Sequence, residues 1–307
     1  MCLYLTILND YYIYSYSLGE SLEKYLNKIY NILERIPEDE LVSKASRKLF
    51  SNGDLLFNKN GQSVEFNQYS NYTEGDSTRH IDWKQYSKTE KLYTKRFHSE
   101  SNSNAIFIVD TTKSMNFKGH SKIDKFEYSI LIFGVLSHIL LLSNSKVSIV
   151  SKDNYSGFKR HISDFPLLLN SIKLESKFDI LKKLSIIKEI QETRNSTIFL
   201  ISDFMYEMND LLKEVEEMRE LNYDFYFIQV LTDSEINFDY KGIIKFKDME
   251  NSKTLITEPL TIKKIYLEEL KVHNDRISKT LLKNNMRYKL IDMSNEIEFS
   301  ILNLFGI

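Results

Sequence analysis

Asp110-Thr111-Thr112-Lys113-Ser114 places a carboxylate and two hydroxyls at alternate positions. Where a strand turns into a helix, side chains at that spacing bring three oxygens to one point. Such donors suit a hard cation such as Mg²⁺, which takes few protein oxygens and keeps several waters. Asp203 closes another apolar run and would add a carboxylate from a neighbouring strand. The candidate metal ligands are therefore Asp110, Thr112, Ser114 and Asp203. The same residues have a second reading, because Asp and Ser after a strand also cap the next helix without any metal. A nucleophilic Asp110 is disfavoured: such a step needs an acid/base nearby, and Thr112, two residues on, cannot serve as one.

The elements that must hold these groups follow from hydropathy. AIFIVD (105–110) and TIFLISD (197–203) are short apolar runs ending in an acid, as expected of strands buried on both faces. KVSIV (146–150), DFYFIQVL (224–231) and RYKLI (287–291) read as further strands. Helices are expected over 122–143, 177–190, 207–221, 262–283 and 294–305, and a hairpin over 152–163. Strands alternating with helices predict an α/β domain with a doubly wound, mostly parallel sheet. In such sheets ligands bind beyond the carboxyl ends of the strands, where Asp110 and Asp203 both fall. Upstream, Leu22, Leu26, Ile29, Leu33 and Ile36 recur at helical spacing until Pro37. The stretch 40–104 mixes aromatic, β-branched and polar residues with glycine punctuation, which predicts hairpins or loops. The expected organisation is an N-terminal helical extension (1–36), a preceding β-rich segment (37–104) and the α/β domain (105–307). Residues 1–17 are apolar and aromatic without a clear period.

Bulk properties narrow the function. The chain has 307 residues, 42% hydrophobic and 27% charged, with a net charge of −2. No overall basic field points to nucleic acid. Cys2 is the single cysteine, so an intrachain disulfide and a cysteine-based zinc site are excluded. The six histidines show no paired spacing for a metal site, and neither a Walker A loop nor a G-x-S-x-G elbow occurs. EYSILIFGVLSHILLL (127–142) is shorter than the span of about 20 residues that crosses a bilayer, and it contains Glu127 and His138. A buried helix, no transmembrane segment and a cytoplasmic location are expected. Asn and Ser are plentiful where only nine glycines and three prolines are available, so they must do much of the turning. Trp83, the one tryptophan, is expected to pack between the β-rich segment and the main domain rather than anchor an interface.

The motif at 110–114 resembles the metal-ion-dependent adhesion site of von Willebrand factor A domains, D-x-S-x-S, with Thr112 at the middle serine. Ser202-Asp203 resembles the (T/S)-D after a later strand. That site also uses a threonine from an intervening loop, and no clear candidate occurs between 160 and 196. The run Gly75-Asp76-x-x-Arg79-x-Ile81-Asp82-Trp83-Lys84 is similar to the G-(D/E)-D-x-R-x-I-D-W-K of the bacterial "domain of unknown function 58" family, with Ser77 in place of the second acid. Gly61-Gln62-Ser63-x-Glu65-Phe66, Ile201-Ser202-Asp203-Phe204, Val230 to Glu235, Phe246 to Glu250, and Tyr266 with His273 continue the likeness over 36–305.

The resemblance implies a von Willebrand factor A-like fold with a β-rich segment and no established catalytic activity. It also implies gene neighbours encoding MoxR-type AAA+ ATPases. The implied role is that of a non-enzymatic adaptor, which binds protein partners through a divalent cation, Mg²⁺ or another, and acts in assembly or maturation of complexes. Gly75, Asp76, Arg79, Asp82, Trp83 and Lys84 form a second candidate surface. The competing reading is a divalent-metal-dependent phosphoesterase using Asp110 and Asp203, which needs a general base and further carboxylates nearby.

Overall fold

The computed structural model describes residues 20–50, 64–71, 83, 86, 92–99, 104–152, 154–172, 178–247 and 254–306. The chain divides into two compact units: Met1–Asn52 with Ser103–Ile307, and Gly53–Asn102. The smaller unit contains β1 (Val64–Asn71) and β2 (Tyr93–Ser99), an antiparallel ribbon with a register irregularity between Phe66 and Gln68.

In the larger unit, α1 (Glu20–Leu33) buries Leu22, Leu26, Ile29 and Leu33 along one stripe. α2 (Glu38–Phe50) follows at once and buries Leu41, Ala45 and Leu49. This corrects the expected organisation. Residues 38–50 are helical, not part of a β-rich segment, and they share one hydrophobic core with α1 and the α/β domain. Pro37 ends one helix and starts the next: its carbonyl accepts the Leu41 N–H at 3.0 Å. Three acids, Glu38, Asp39 and Glu40, favour the positive end of the new helix dipole.

The remaining elements run β3 (Asn104–Val109), α3 (Lys125–Leu142), β4 (Lys146–Ser151), β5 (Asn154–Tyr155), α4 (Phe165–Asn170), α5 (Ile180–Glu189), β6 (Ser196–Ser202), α6 (Asn209–Glu220), β7 (Asp224–Leu231), α7 (Asp233–Asn237), β8 (Ile244–Lys247), β9 (Thr254–Thr257), α8 (Pro259–Lys283), β10 (Arg287–Asp292) and α9 (Ile297–Leu304). Six strands form one sheet in the order β10-β7-β6-β3-β4-β5. The first five are parallel and the short edge strand β5 is antiparallel. β8 and β9 form a separate antiparallel ribbon.

Alternation along β3 divides the core between the two faces. Ala105, Phe107 and Val109 join one cluster with α1, α2, α3 and α9, whereas Ile106 and Ile108 join another with α5, α6 and α8. Phe107 stacks on Phe199 of β6 at 4.7 Å and meets Phe133 of α3 edge-on. α3 passes a length-and-composition test for a membrane span, yet 89% of its residues are buried within the fold. It is apolar all round because it is enclosed all round. A Cβ on its Gly134 would collide with Ile29 Cδ1, so the missing side chain sets how closely α1 approaches. Lys28 of α1 also pairs with Glu127 of α3 at 2.5 Å.

Asparagine does replace glycine in the turns. Asn144, Asn195, Asn222 and Asn285 all adopt positive φ, three of them two residues beyond the ends of α3, α6 and α8.

Candidate functional site

β3 and β6 are neighbours, so their last residues deliver Asp110 and Asp203 to the same edge of the sheet. The Asp110 N–H still donates to Ile201 O at 2.8 Å, extending the ladder by one residue. Its carboxylate is then fixed from two sides. Oδ1 accepts the Thr112 N–H at 2.8 Å, and Oδ2 accepts the Ser202 hydroxyl at 2.5 Å. Thr112 Oγ1 and Ser114 Oγ lie 2.9 Å apart, at the start of a 3₁₀ turn over Lys113–Asn116. Asp110, Thr112 and Ser114 are thus brought together as their spacing predicts. Thr112 makes no side-chain capping bond to that turn, so helix capping does not account for its hydroxyl.

Asp203 is equally buried but differently committed. Its Oδ1 accepts the Met205 N–H at 3.1 Å, and its Oδ2 accepts the Lys125 ammonium at 2.7 Å. Lys125, the first residue of α3, is 1% exposed and also donates to Glu235 Oε1 at 2.6 Å. Glu235 completes a capping box on α7, its Oε2 accepting the Thr232 N–H at 2.8 Å. The loop leading to α3 is clamped on the same helix, the His120 N–H donating to Ser234 Oγ at 3.0 Å. Gly119 makes that approach possible: its φ is +53° and a Cβ would collide with Ser234 Oγ.

These surroundings set the charges. Burial pushes the Asp110 carboxyl up to about 6, against the Ser202 and Thr112 hydrogen bonds that favour its ionised form, and Asp203 adds to the rise. Burial also works against the Lys125 ammonium, but Asp203 and then Glu235 outweigh it and hold Lys125 above its ordinary value. The Tyr206 hydroxyl is pushed up by burial and next by Asp110. Two carboxylates, Asp203 and Glu235, therefore share one ammonium, while the third, Asp110, is held by the Ser202 hydroxyl and the Thr112 N–H.

The donor set fits a hard cation. One carboxylate and two hydroxyls, all oxygen, converge on one point, and Thr111 Oγ1 within the motif is buried without a hydrogen-bond partner. Among the described residues, no group of three or more His, Cys, Asp or Glu side chains is arranged to hold a metal. Any ion here leans on hydroxyls and water rather than on a carboxylate cage. Thr193, the one threonine between 160 and 196, does not reach this edge. It precedes β6, at the opposite end, and bonds Ile187 O, Ile190 O and the Tyr223 hydroxyl.

Sequence reasoning missed Lys125, and it quoted Ser202 within a motif without its bond to Asp110. Lys125 is a cation at the edge of an apolar run, which ordinarily signals a solvated end. The T-x-x-E of Thr232–Glu235 is a legible capping-box signature, but nothing in it signals a lysine partner. Of the motif at 75–84, Gly75, Asp76, Arg79, Asp82 and Lys84 lie outside the described residues. Trp83 lies in the smaller unit, 62% exposed, its ring edge-on to Tyr86 three residues along at 6.1 Å.

Counting strands of the main sheet in chain order, the spatial order is 3-2-1-4-5-6 with the third antiparallel. With an aspartate–hydroxyl motif after the first strand, this is a von Willebrand factor A-like α/β domain. The family described as "Protein of unknown function DUF58" matches residues 68–275, and the chain belongs to it.

Among solved structures, the fold is similar to BatB from Bacteroides thetaiotaomicron, at 16% identity and a TM-score of 0.45, covering 66% of this chain and 97% of that one. It is also similar to an aerotolerance-related membrane protein from Bacteroides fragilis, at 14% identity and a TM-score of 0.42, covering 66% and 98%. The SpRpn10 VWA domain matches at 9% identity and a TM-score of 0.39, covering 66% and 94%. No curated protein matches the sequence.

Proposed function

We infer that the chain is a non-enzymatic, cytoplasmic adaptor that binds a protein partner through a divalent cation at the end of β3. Asp110, Thr112 and Ser114 would hold the ion. A bound dication supplies an open coordination position for an acidic side chain of the partner. The observation that carries this reading is the convergence of the three side chains, with the Thr112 and Ser114 hydroxyls 2.9 Å apart beside a carboxylate held from both sides. The charge balance supports it: with Asp110, Asp203 and Glu235 ionised and Lys125 protonated, a dication brings the cluster to neutrality, which buried charges require. A MoxR-type AAA+ ATPase is the proposed partner class, in assembly or maturation of complexes.

The phosphoesterase reading is weaker on the same geometry. Asp203 is paired with the Lys125 ammonium, and a hydrolase would need a further carboxylate beside Asp110, not so paired, to ligate an ion or activate water. Asp110→Ala separates the two. The adaptor loses Mg²⁺-dependent capture of a purified MoxR-type ATPase and has no turnover to lose. Hydrolysis of p-nitrophenyl phosphate by the wild type, abolished in the variant, would overturn the adaptor reading.

A further inference from the structure

A lysine that is 1% exposed and charged needs a reason to be there. Lys125 lies between carboxylates from two other elements, at 2.7 Å from Asp203 Oδ2 and 2.6 Å from Glu235 Oε1. The other oxygen of each acid is also satisfied: Asp203 Oδ1 by the Met205 N–H, and Glu235 Oε2 by the N–H and hydroxyl of Thr232. The lysine is itself held in place. Its N–H donates to Phe117 O at 3.1 Å, its carbonyl accepts the Ser129 hydroxyl at 2.7 Å, and its ammonium lies 5.9 Å from the centre of the Phe117 ring. Withdrawing that ammonium would strand two acids, Asp203 within the fold and Glu235 largely so.

We propose that Lys125 is the resident cation of this sheet edge, making Asp203 and Glu235 partners of a lysine rather than ligands of a metal. The divalent site is thereby confined to Asp110 and its two hydroxyls. That second half rests on the proposed adaptor reading; the first half does not. The affinity of an oxygen site follows the number of charged ligands it offers. With one carboxylate left unpaired with the ammonium instead of three, the site holds a dication weakly until a partner's acid completes it. Lys125 thus makes cation and acidic partner bind together, each raising the affinity for the other.

The test is Mn²⁺ titration by calorimetry, with thermal melts in EDTA, on wild type, Asp203→Asn, Lys125→Met and the double variant. The account expects Asp203→Asn to change the Mn²⁺ Kd by less than about threefold, because that carboxylate is already engaged, and to lower Tm in EDTA. Lys125→Met is expected to tighten Mn²⁺ by tenfold or more as two acids are released, on the order that added charged ligands produce. Adding Asp203→Asn to Lys125→Met should remove much of that gain. A tenfold loss of Mn²⁺ affinity in Asp203→Asn alone would overturn the proposal, as would a folded Lys125→Met that binds no tighter than wild type. If Lys125→Met does not fold, the Asp203→Asn pair of measurements decides the matter, since Lys125 keeps Glu235 there. An unchanged Tm in EDTA for Asp203→Asn also counts against it. If the wild type binds no Mn²⁺, only the adaptor reading fails. The resident-cation inference then stands if Lys125→Met acquires binding and falls if it does not.

Discussion

The Ser202 hydroxyl donates to Oδ2 of Asp110 at 2.5 Å, so the last residue of β6 holds the first residue beyond β3. The same hydroxyl oxygen accepts the Phe204 N–H at 3.0 Å, which ties the Asp110 anchor to a tight turn whose Phe204 has φ +51°. Ser202→Ala breaks this link. At pH 8 it is expected to cost about 1–3 kcal/mol in urea denaturation, the usual loss for a buried hydrogen bond to a charged group. The loss should shrink below pH 5, where Asp110 is protonated; equal losses at both pH values would contradict it.

Asp110 itself gives a pH signature. Its folded value of about 6 lies above the ordinary 3.8, so the folded state binds this proton more tightly than the unfolded chain does. The resulting stability is present below about pH 4 and is lost as pH rises through 6. In EDTA, wild type should lose roughly 2–2.5 kcal/mol relative to Asp110→Asn between pH 4 and pH 7.5, because each tenfold difference in proton affinity is worth about 1.4 kcal/mol and part of the change already lies below pH 4. Urea titrations of the two proteins at each pH measure the difference directly. A difference that does not vary with pH would contradict the assignment.

Gly134→Ala should destabilise the fold. The new Cβ would meet Ile29 Cδ1 in a site where Ile29 is fully buried and has no room to swing away. A cost of about 1–3 kcal/mol is expected from overpacking. Ile29→Val removes the offending methyl, so the double variant should lose less than the two single losses combined. Strict additivity would show that α1 does not set the spacing at Gly134.

Gly119→Ala tests the clamp on the site loop. It forces a side chain into positive φ and against Ser234, at a cost on the order of 1–2 kcal/mol. Amide exchange should speed up at His120, whose N–H bonds Ser234 Oγ, without change at the distant Thr193. Unchanged exchange at His120 would contradict the clamp.

Much of this architecture is legible in the sequence because buried parallel strands leave an unmistakable imprint. AIFIVD, TIFLISD and DFYFIQVL can be little else, and their order predicts which acids share an edge. α2 is obscured for a specific reason. Pro37 reads as a stop, but proline also suits the first turn of a helix, and the acids at 38–40 with apolar residues at 41, 45 and 49 carry the helical signal. Asp203 is legible as a site residue, while its partner is not. Whether an acid at a strand end faces an ion or a lysine depends on Lys125, which lies 78 residues away.

The adaptor account rests on a cation held by Asp110, and calorimetric titration of Mg²⁺ and Mn²⁺ into the purified chain and its Asp110→Ala variant tests that most directly. The account predicts saturable binding with one ion per chain in the wild type and none in the variant. Absence of binding in the wild type, or equal binding in both, would contradict it.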